Sequence, residues 1–500
     1  MANQTLQDDY TALASTHWLY TRNRDRWQFL YESYVGGMEY RKGAHLTRYV
    51  LETDGEYNRR LLNTPYDNHC QSVIQTYISF LFREEPNREF NSWEGYSDVE
   101  EFLKDANLEG MSFDAFMKQV SIWSSVFGHA WVLMTKPNVG AVTQAQEIEM
   151  GVRPYVNLVT PLVVSDWRWE RQPNGRYELA YFKYVEEIVD KVTVIKIWTK
   201  DTIETWHMDD VQRTAERVSM EPNMLAMIPA ILVYNQKSVT KDIGVSDITD
   251  IADLSKSIYN LHSENEQSIR LDGHPSLVTP ATAQLGSGAG AIIQLQEGSD
   301  PGLNPYYLEH GTSGVSNIHS SMDKLIEAID RISFTGGVRA TAQRTMSGIA
   351  METEFQLLNA KLSEKADMME LAEEQIWNLF GRYQGRSWDG EVEYPSSFNI
   401  RDTQREFAQL ATAKSAATDP RVLQVIDHEI VELLGEDADL ILPEMVALPD
   451  GTQVPSDSVE PFEEPERIFN PTTGEEGWVI DFQSKRDALM NGWIEYPEEE

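Results

Sequence analysis

The chain has 500 residues, 24% charged and 41% hydrophobic, an ordinary composition for a soluble globular protein with room for roughly two to four folding units. Eighty acidic residues against 42 basic ones leave a formal net charge of −38, which excludes a protein that coats nucleic acid by neutralising phosphates. Thirteen Trp, 21 Tyr and 17 Phe exclude intrinsic disorder, and the single cysteine, Cys70, excludes a disulfide framework and any multi-cysteine zinc or iron–sulfur site.

Met1-Ala2-Asn3-Gln4 carries neither a basic nor an apolar segment, so no secretory signal is expected. The longest nearly apolar stretch, 224–234, is interrupted by Pro229 and falls far short of the roughly 18 residues of a membrane span. The expectation is a soluble, reduced protein made in the cytosol.

The first 130 residues read as helices. Over 18–34, Trp18, Trp27, Leu30 and Tyr34 approximate one face, and the two tryptophans are expected in the core. Pro65 precedes a second helix at 67–82, where Val73, Tyr77, Ile78 and Leu81 recur at helical spacing and Pro86 follows the stop. Cys70 sits beside these apolar positions and reads as a buried, inert thiol. Two more helices are expected at 98–107 and 113–127, separated by Gly110.

At Gly128 the period changes to that of strands. Candidates lie at 130–134, 155–159, 167–171, 177–184, 191–198, 202–207 and 228–234. Pro173-Asn174-Gly175 is a strong hairpin signal between the third and fourth. Alternation of Val192, Val194 and Ile197, with Lys191 and Lys196 outside, predicts an antiparallel sheet with one wet face. The fold class is therefore α+β.

Helix returns at Ser246, a candidate cap, with Asp247 and Asp250 at the positive end of the dipole and Arg270 at the other. Ile248, Ile251, Leu254, Ile258 and Leu261 form its apolar face. A Gly/Pro-rich β-like insert comes next, to about residue 310, and then a helix at 315–332 faced by Ile318, Met322, Leu325, Ile326 and Ile329. Residues 335–347 break the pattern, with Gly336-Gly337 as a flexible opening, Arg339 and Arg344 as its charges, and Ser347 able to cap the next helix. That helix is long, running over 348–380 and ended by Gly381. Its stripe, Met351, Phe355, Leu358, Leu362, Ala366, Met369, Ala372, Ile376 and Phe380, is unbroken.

Beyond it a strand at 391–400 is expected to return to the β block, and two short helices are expected at 407–417 and 420–434. Residues 421–500 hold 21 acidic and 4 basic residues, a balance of −17, with five prolines from Pro443 to Pro465. This tail reads as largely irregular and solvated.

Catalytic signatures are missing. Gly286-Ser287-Gly288-Ala289-Gly290 reads GxGxG rather than GxGxxG, with no acidic residue placed for a ribose, and fits a flexible loop tip. No Walker A pattern occurs. Neither Gly244-Val245-Ser246-Asp247 nor Gly311-Thr312-Ser313-Gly314 completes GxSxG. The adjacent Asp427, His428 and Glu429 fan out around a helix and cannot converge on one atom. No catalytic residue, cofactor or metal site is assigned, and the chain is not expected to be an enzyme.

The order of parts resembles the portal proteins of tailed bacteriophages. Gly244-Val245-Ser246-Asp247-Ile248, leading to Leu254, Tyr259-Asn260 and Ser263-Glu264, is similar to the portal segment entering the first stem helix. His274-Pro275-Ser276-Leu277-Val278 is similar to a clip entry, and Thr345-Met346-Ser347-Gly348-Ile349-Ala350 to the junction of tunnel loop and tunnel helix. Tyr77-Ile78-Ser79-Phe80-Leu81-Phe82-Arg83 followed by Pro86 resembles an N-terminal motif of one branch.

The resemblance implies a mainly helical portal-like fold. Its parts would be a wing at 1–245 joined by the strand near 391–400, a stem at 246–270 and 314–333, and a clip at 271–313. A tunnel loop would come next at 334–347, then a tunnel helix at 348–381, a crown at 402–440 and an acidic tail at 441–500. It also implies a homo-oligomeric ring, usually of about twelve copies, at one capsid vertex of the virion, assembled in the host cytoplasm. Double-stranded DNA would pass through during packaging and ejection without tight binding. The partners implied are the terminase large subunit, the major capsid or scaffolding protein and a head-completion adaptor, with no membrane. Gly336, Gly337, Arg339, Gln343 and Arg344 would line the DNA channel, and Gly286, Gly288 and Gly290 would belong to the motor-docking clip. An acidic conduit suits this role because it repels phosphate and leaves DNA free to slide. The alternatives are an acidic hydrolase or other enzyme without a recognisable motif, and another head–tail connector or capsid protein.

Overall fold

The computed structural model describes residues 2–137, 146, 150–273, 276–278, 306–308, 313–339, 348–396, 398, 403–417 and 420–433, with short strands between 445 and 495. Two compact units divide the chain, residues 1–399 and 400–500.

The first unit opens with seven helices: α1 (Ala2–Ala14), α2 (Trp18–Val35), α3 (Gly37–Lys42), α4 (Asp54–Asn63), α5 (His69–Leu81), α6 (Ser97–Lys104) and α7 (Phe113–Phe127). Strand β1 (Asn87–Glu89) lies between α5 and α6. Helix α5 starts later than Pro65 suggests because Asn68, accepting from the Gln71 amide at 2.9 Å, is the residue that caps it. Trp27 is buried at 3% exposure, but Trp18 is 59% exposed, since it stands at the first turn of α2 outside the main core.

Seven of the next eight strands correspond to expected ones: β2 (His129–Thr135), β3 (Tyr155–Val159), β4 (Val164–Arg171), β5 (Tyr177–Val189), β6 (Val192–Thr199), β7 (Thr202–Asp209) and β9 (Ala230–Tyr234). Strand β8 (Thr214–Pro222) was not legible, because its side chains face solvent too often to alternate. The strands form two antiparallel sheets, β3-β2-β9 and β4-β5-β6-β7-β8. In the first, Trp131 stands opposite both Val159 and Leu232. The expected wet face of β6 is covered instead. Ile195 and Ile197 pack with Leu13 of α1 and Ala215, while Trp198 on the other face joins the main core. Lys183 of β5, itself buried, donates to the carbonyls of Leu13 at 2.9 Å and of Ser15, holding the end of α1 on this sheet.

Helix α8 (Thr249–Gly273) leads to strand β10 (Ser276–Val278), which pairs antiparallel with β11 (Tyr306–Leu308); α9 (Ser313–Ser333) then runs back against α8. The Gly286, Gly288 and Gly290 loop lies outside the described residues. Residues 336–339, expected in a loop, form a short helix, α10 (Gly336–Arg339).

The long helix α11 (Gly348–Gln384) runs three residues past Gly381. That glycine does not end the helix. A Cβ there would lie 2.6 Å from the Arg386 carbonyl oxygen and 2.8 Å from the Trp93 ring, so it makes room for tryptophan, and the helix stops at Gly385 with φ +67°. Its stripe is buried from Leu358 through Phe380. Strand β12 (Glu391–Glu393) pairs with β1 rather than with the β block. Among the described residues, no helix is long and apolar enough to cross a membrane.

The second unit contains α12 (Thr403–Ala416) and α13 (Pro420–Leu433), joined by the Lys414–Asp427 ion pair. Its expected irregular tail contains short strands: β13 (Met445–Ala447) pairs with β14 (Gln453–Pro455), and β15 (Glu466–Phe469) with β16 (Glu476–Val479) and β17 (Ile494–Glu495). Ile468, Phe469 and Val479 supply the apolar, β-prone residues that a reading of charge and proline passes over.

Candidate functional site

The chemistry of the first unit gathers where α11 meets the rest of the fold. Two glycines begin it. Gly128 ends α7 with φ +89°, and a Cβ on it would lie 2.5 Å from the Gly244 carbonyl oxygen. The backbones therefore cross in contact, and the segment after Gly244 is drawn against the end of α7. There the Ser246 hydroxyl donates to the Ser125 carbonyl at 3.2 Å and accepts from the Ile248 amide at 3.1 Å, so it caps as expected although the regular helix begins three residues later. The Asp247 amide donates to the same carbonyl at 3.0 Å.

This geometry turns the Asp247 carboxylate inward. It receives Lys365 at 2.7 Å and Lys361 at 3.1 Å, two lysines one turn apart on α11. Lys365 also donates to the Ser125 hydroxyl at 2.7 Å and to the Asn235 side-chain carbonyl. Burial pushes the Asp247 carboxyl up, but the two ammonium groups outweigh it and hold it well below the usual carboxylate range. Burial dominates at Lys365 and lowers its pKa; at Lys361 burial is the largest single effect, but the Asp247 charge and Tyr77 together outweigh it and raise the pKa. The end of α7, the residue after β9, the turn leading into α8, and α11 thus converge on one buried ion cluster. In the sequence Asp247 reads as a helix-dipole residue, and neither lysine is distinguished from the other charges of the helix. The one signal is spacing: Lys365 lies three residues after Leu362 and four before Met369.

A second ion cluster holds α11 nearer its end. Arg88 of β1 donates to Glu373, which is fully buried, and pairs with Asp114 at 2.7 Å; Tyr394 adds a hydrogen bond to Glu373 at 2.8 Å.

The third constellation surrounds α10. The chain reverses at Phe334, with φ +55°, and the Tyr77 hydroxyl donates to the Ser333 carbonyl at 2.6 Å. Gly336 lies close to α11: a Cβ there would stand 3.0 Å from the Glu354 carboxylate. Gly336 and Gly337 are both helical. Arg339 pairs with Asp330 at 3.0 Å and donates to His69 Nδ1 at 2.8 Å. His69 Nε2 faces Asp67 at 3.2 Å, an interaction that lowers the Asp67 carboxyl. For Nδ1 to accept from Arg339, His69 must be the neutral Nε2-protonated tautomer. Arg339 is therefore engaged with protein groups, its side chain 15% exposed. Gln343 and Arg344 lie outside the described residues.

These groups hold elements together and offer no reacting centre. The Cys70 thiol is buried and pushed up to about 12, as an inert cysteine should be. Among the described residues, no group of three or more His, Cys, Asp or Glu could hold a metal ion.

A family model described as "Phage portal protein, SPP1 Gp6-like" matches residues 19–414. No curated protein matches the chain. Among solved structures, similar chains occur in the virion of a native gene transfer agent particle, at 10% identity and TM-score 0.42 over 79% of this chain and 98% of that one. Others occur in the neck of the empty particle, at 10% and 0.42 over 80% and 99%, and in the neck of the native particle, at 9% and 0.40 over 81% and 99%. Such low scores carry no weight beside the family match.

Proposed function

Because the chain belongs to the SPP1 Gp6-like family of phage portal proteins, which is structural rather than enzymatic, we propose that its copies close into a ring at one capsid vertex and that double-stranded DNA passes through the channel. The observation that carries this reading is the continuous family match from residue 19 to residue 414. In the proposed division, 246–270 and 314–333, carried mostly by α8 and α9, are the stem, 271–313 the clip, 334–347 the tunnel loop and 348–381 of α11 the tunnel helix, with the wing before and the crown after. The ring has about twelve copies, the closed cyclic symmetry expected of identical subunits joined head to tail.

The physical support is electrostatic. A net charge of −38 disfavours adhesion to phosphate, and friction on moving DNA stays low when few counterions are displaced. Lys361, Lys365 and Arg339 are committed to buried partners, which removes three cations from any track along the channel. Arg344 is the tunnel-loop charge left to centre the duplex. The clip receives the terminase large subunit during packaging and a head-completion adaptor afterwards, and the wing meets the major capsid or scaffolding protein.

The test replaces 271–313 by a short Gly-Ser linker. The antiparallel α8–α9 pair tolerates this, because the insert leaves and returns at one end of that pair. Rings should still form while terminase binding and DNA packaging are lost. Intact packaging would remove the clip from motor docking.

A further inference from the structure

The turn between α3 and α4 is built with unusual rigidity. Glu52 closes it, its amide donating to the Tyr49 carbonyl at 3.2 Å and its carboxylate accepting from the Tyr49 amide at 3.2 Å. The same carboxylate, 4% exposed, takes a two-point ion pair from Arg60 of α4 at 2.6 and 2.8 Å. Arg60, 5% exposed, also donates to the Thr47 carbonyl at 2.8 Å and to the Ser263 hydroxyl of α8 at 2.9 Å. Its guanidinium lies 3.8 Å from the centre of the Tyr49 ring, and the Tyr49 hydroxyl bonds Glu264 of α8 at 2.7 Å. The buried cation makes four hydrogen bonds, three to Glu52 and Thr47 within this segment and one to Ser263 of α8.

What the brace presents is apolar. Val50 is 100% exposed and Leu51 94%. Two aliphatic side chains held fully in water stabilise nothing in the free chain, and fixing them in advance matters only when another surface covers them.

We propose that residues 49–52 are a preformed knob by which each copy inserts Val50 and Leu51 into an apolar surface of the next copy. This inference rests on the ring reading above and names the contact within it. Three observations favour a second copy as the occupant. Identical copies at −38 repel, so the contact between them is best made by uncharged, apolar groups. A ring uses head-to-tail contacts, in which a projection on one side meets a different surface on the other. The knob is tied to α8 directly by Tyr49–Glu264 and, through its flanking braces, by Thr47–Asn260 and Arg60–Ser263, so a neighbour that grips it also fixes the orientation of the proposed stem.

The test uses the full chain. Val50→Ser with Leu51→Ser should lower the fraction of chain in rings about tenfold at fixed concentration, the scale of a central apolar contact, with an unchanged unfolding midpoint. Val50→Ile with Leu51→Met should assemble normally. Separately, Leu51→Cys is labelled with a benzophenone maleimide, the buried Cys70 leaving the new thiol as the reactive one. Irradiated rings should yield chain-to-chain crosslinks ending outside residues 49–52 of the second copy. Normal assembly of the serine variant, or rings whose crosslinks are absent or end on the same turn, would overturn the knob while leaving the ring reading intact. A wild-type chain that forms no ring would instead remove the ring reading and the knob with it.

Discussion

Gly128 and Gly244 face each other so closely that a Cβ on Gly244 would lie 1.8 Å from the Gly128 carbonyl oxygen. This crossing delivers Ser246 to the end of α7 and Asp247 to the lysines of α11, so one backbone contact sets up the ion cluster. Gly244→Ala should cost about 2–3 kcal/mol or prevent folding, because backbone has to move rather than a flexible side chain. Thermal unfolding of the variant beside wild type measures this, and an unchanged midpoint would mean that the crossing relaxes freely.

The ion cluster itself gives an asymmetric expectation. Asp247→Asn leaves two lysines facing each other without their counter-charge and should cost about 3–5 kcal/mol. Lys365→Met leaves the Asp247–Lys361 pair intact and should cost less. Denaturant titration of both variants decides the order, and equal losses would contradict the asymmetry.

The same carboxylate gives a pH dependence. Its folded pKa lies well below the ordinary 3.8, so its stabilising contribution is fully present above about pH 4 and fades as pH falls from there toward the folded value. Wild type should lose stability across that acid range, and Asp247→Asn should show a shallower slope there. The comparison is made by unfolding midpoints between pH 5 and 2.5, a range of about two to three units around the ordinary carboxylate pKa.

Arg339 and Arg344 should part company. Arg339→Ala takes the guanidinium away from the buried Asp330 and the donor away from His69 Nδ1, so it should destabilise the chain by about 2–4 kcal/mol. Any packaging defect in that variant would then accompany lost stability. Arg344→Ala should keep ring assembly and stability and give a salt-dependent change in packaging or DNA retention, since exposed charges are screened within about 10 Å at 0.1 M. Packaging assays at several salt concentrations, run beside sizing and melting, separate the two. Unchanged packaging in Arg344→Ala would remove that residue from the mechanism.

Lys183 predicts a local effect. Lys183→Met removes the donor that holds the Leu13 and Ser15 carbonyls, so limited proteolysis should cut the first 17 residues several-fold faster while the rest of the chain stays resistant. Unchanged cleavage would show that Leu13 packing alone retains the helix.

Much of this architecture was legible because periodicity records burial. The α7 bounds follow from the break at Gly110 and the change of period at Gly128, and the α11 stripe follows from apolar residues that do pack inward. The features that were not legible depend on contacts distant in sequence. Lys365 lies beside Ala366 of that unbroken stripe and draws no notice locally, and only the meeting of Ser125, Asn235 and Asp247 makes a buried lysine stable there. Gly381 reads as a helix stop until Trp93, far away in sequence, is seen to fill its space. The wet face expected for β6 failed for the same reason, since α1 arrives from the start of the chain to cover it. Arg339 looked like a loop charge because neither His69 nor Asp330 shares a local pattern with it.

The central claim, a closed ring around a DNA-sized channel, is tested most directly by electron microscopy of the purified full-length chain under assembly conditions. End-on views should show a closed cyclic ring whose open channel is wide enough for duplex DNA, with a particle mass about twelve times the 57.1 kDa of one chain. Only monomers or two-fold dimers, or a ring without an open channel, would contradict it.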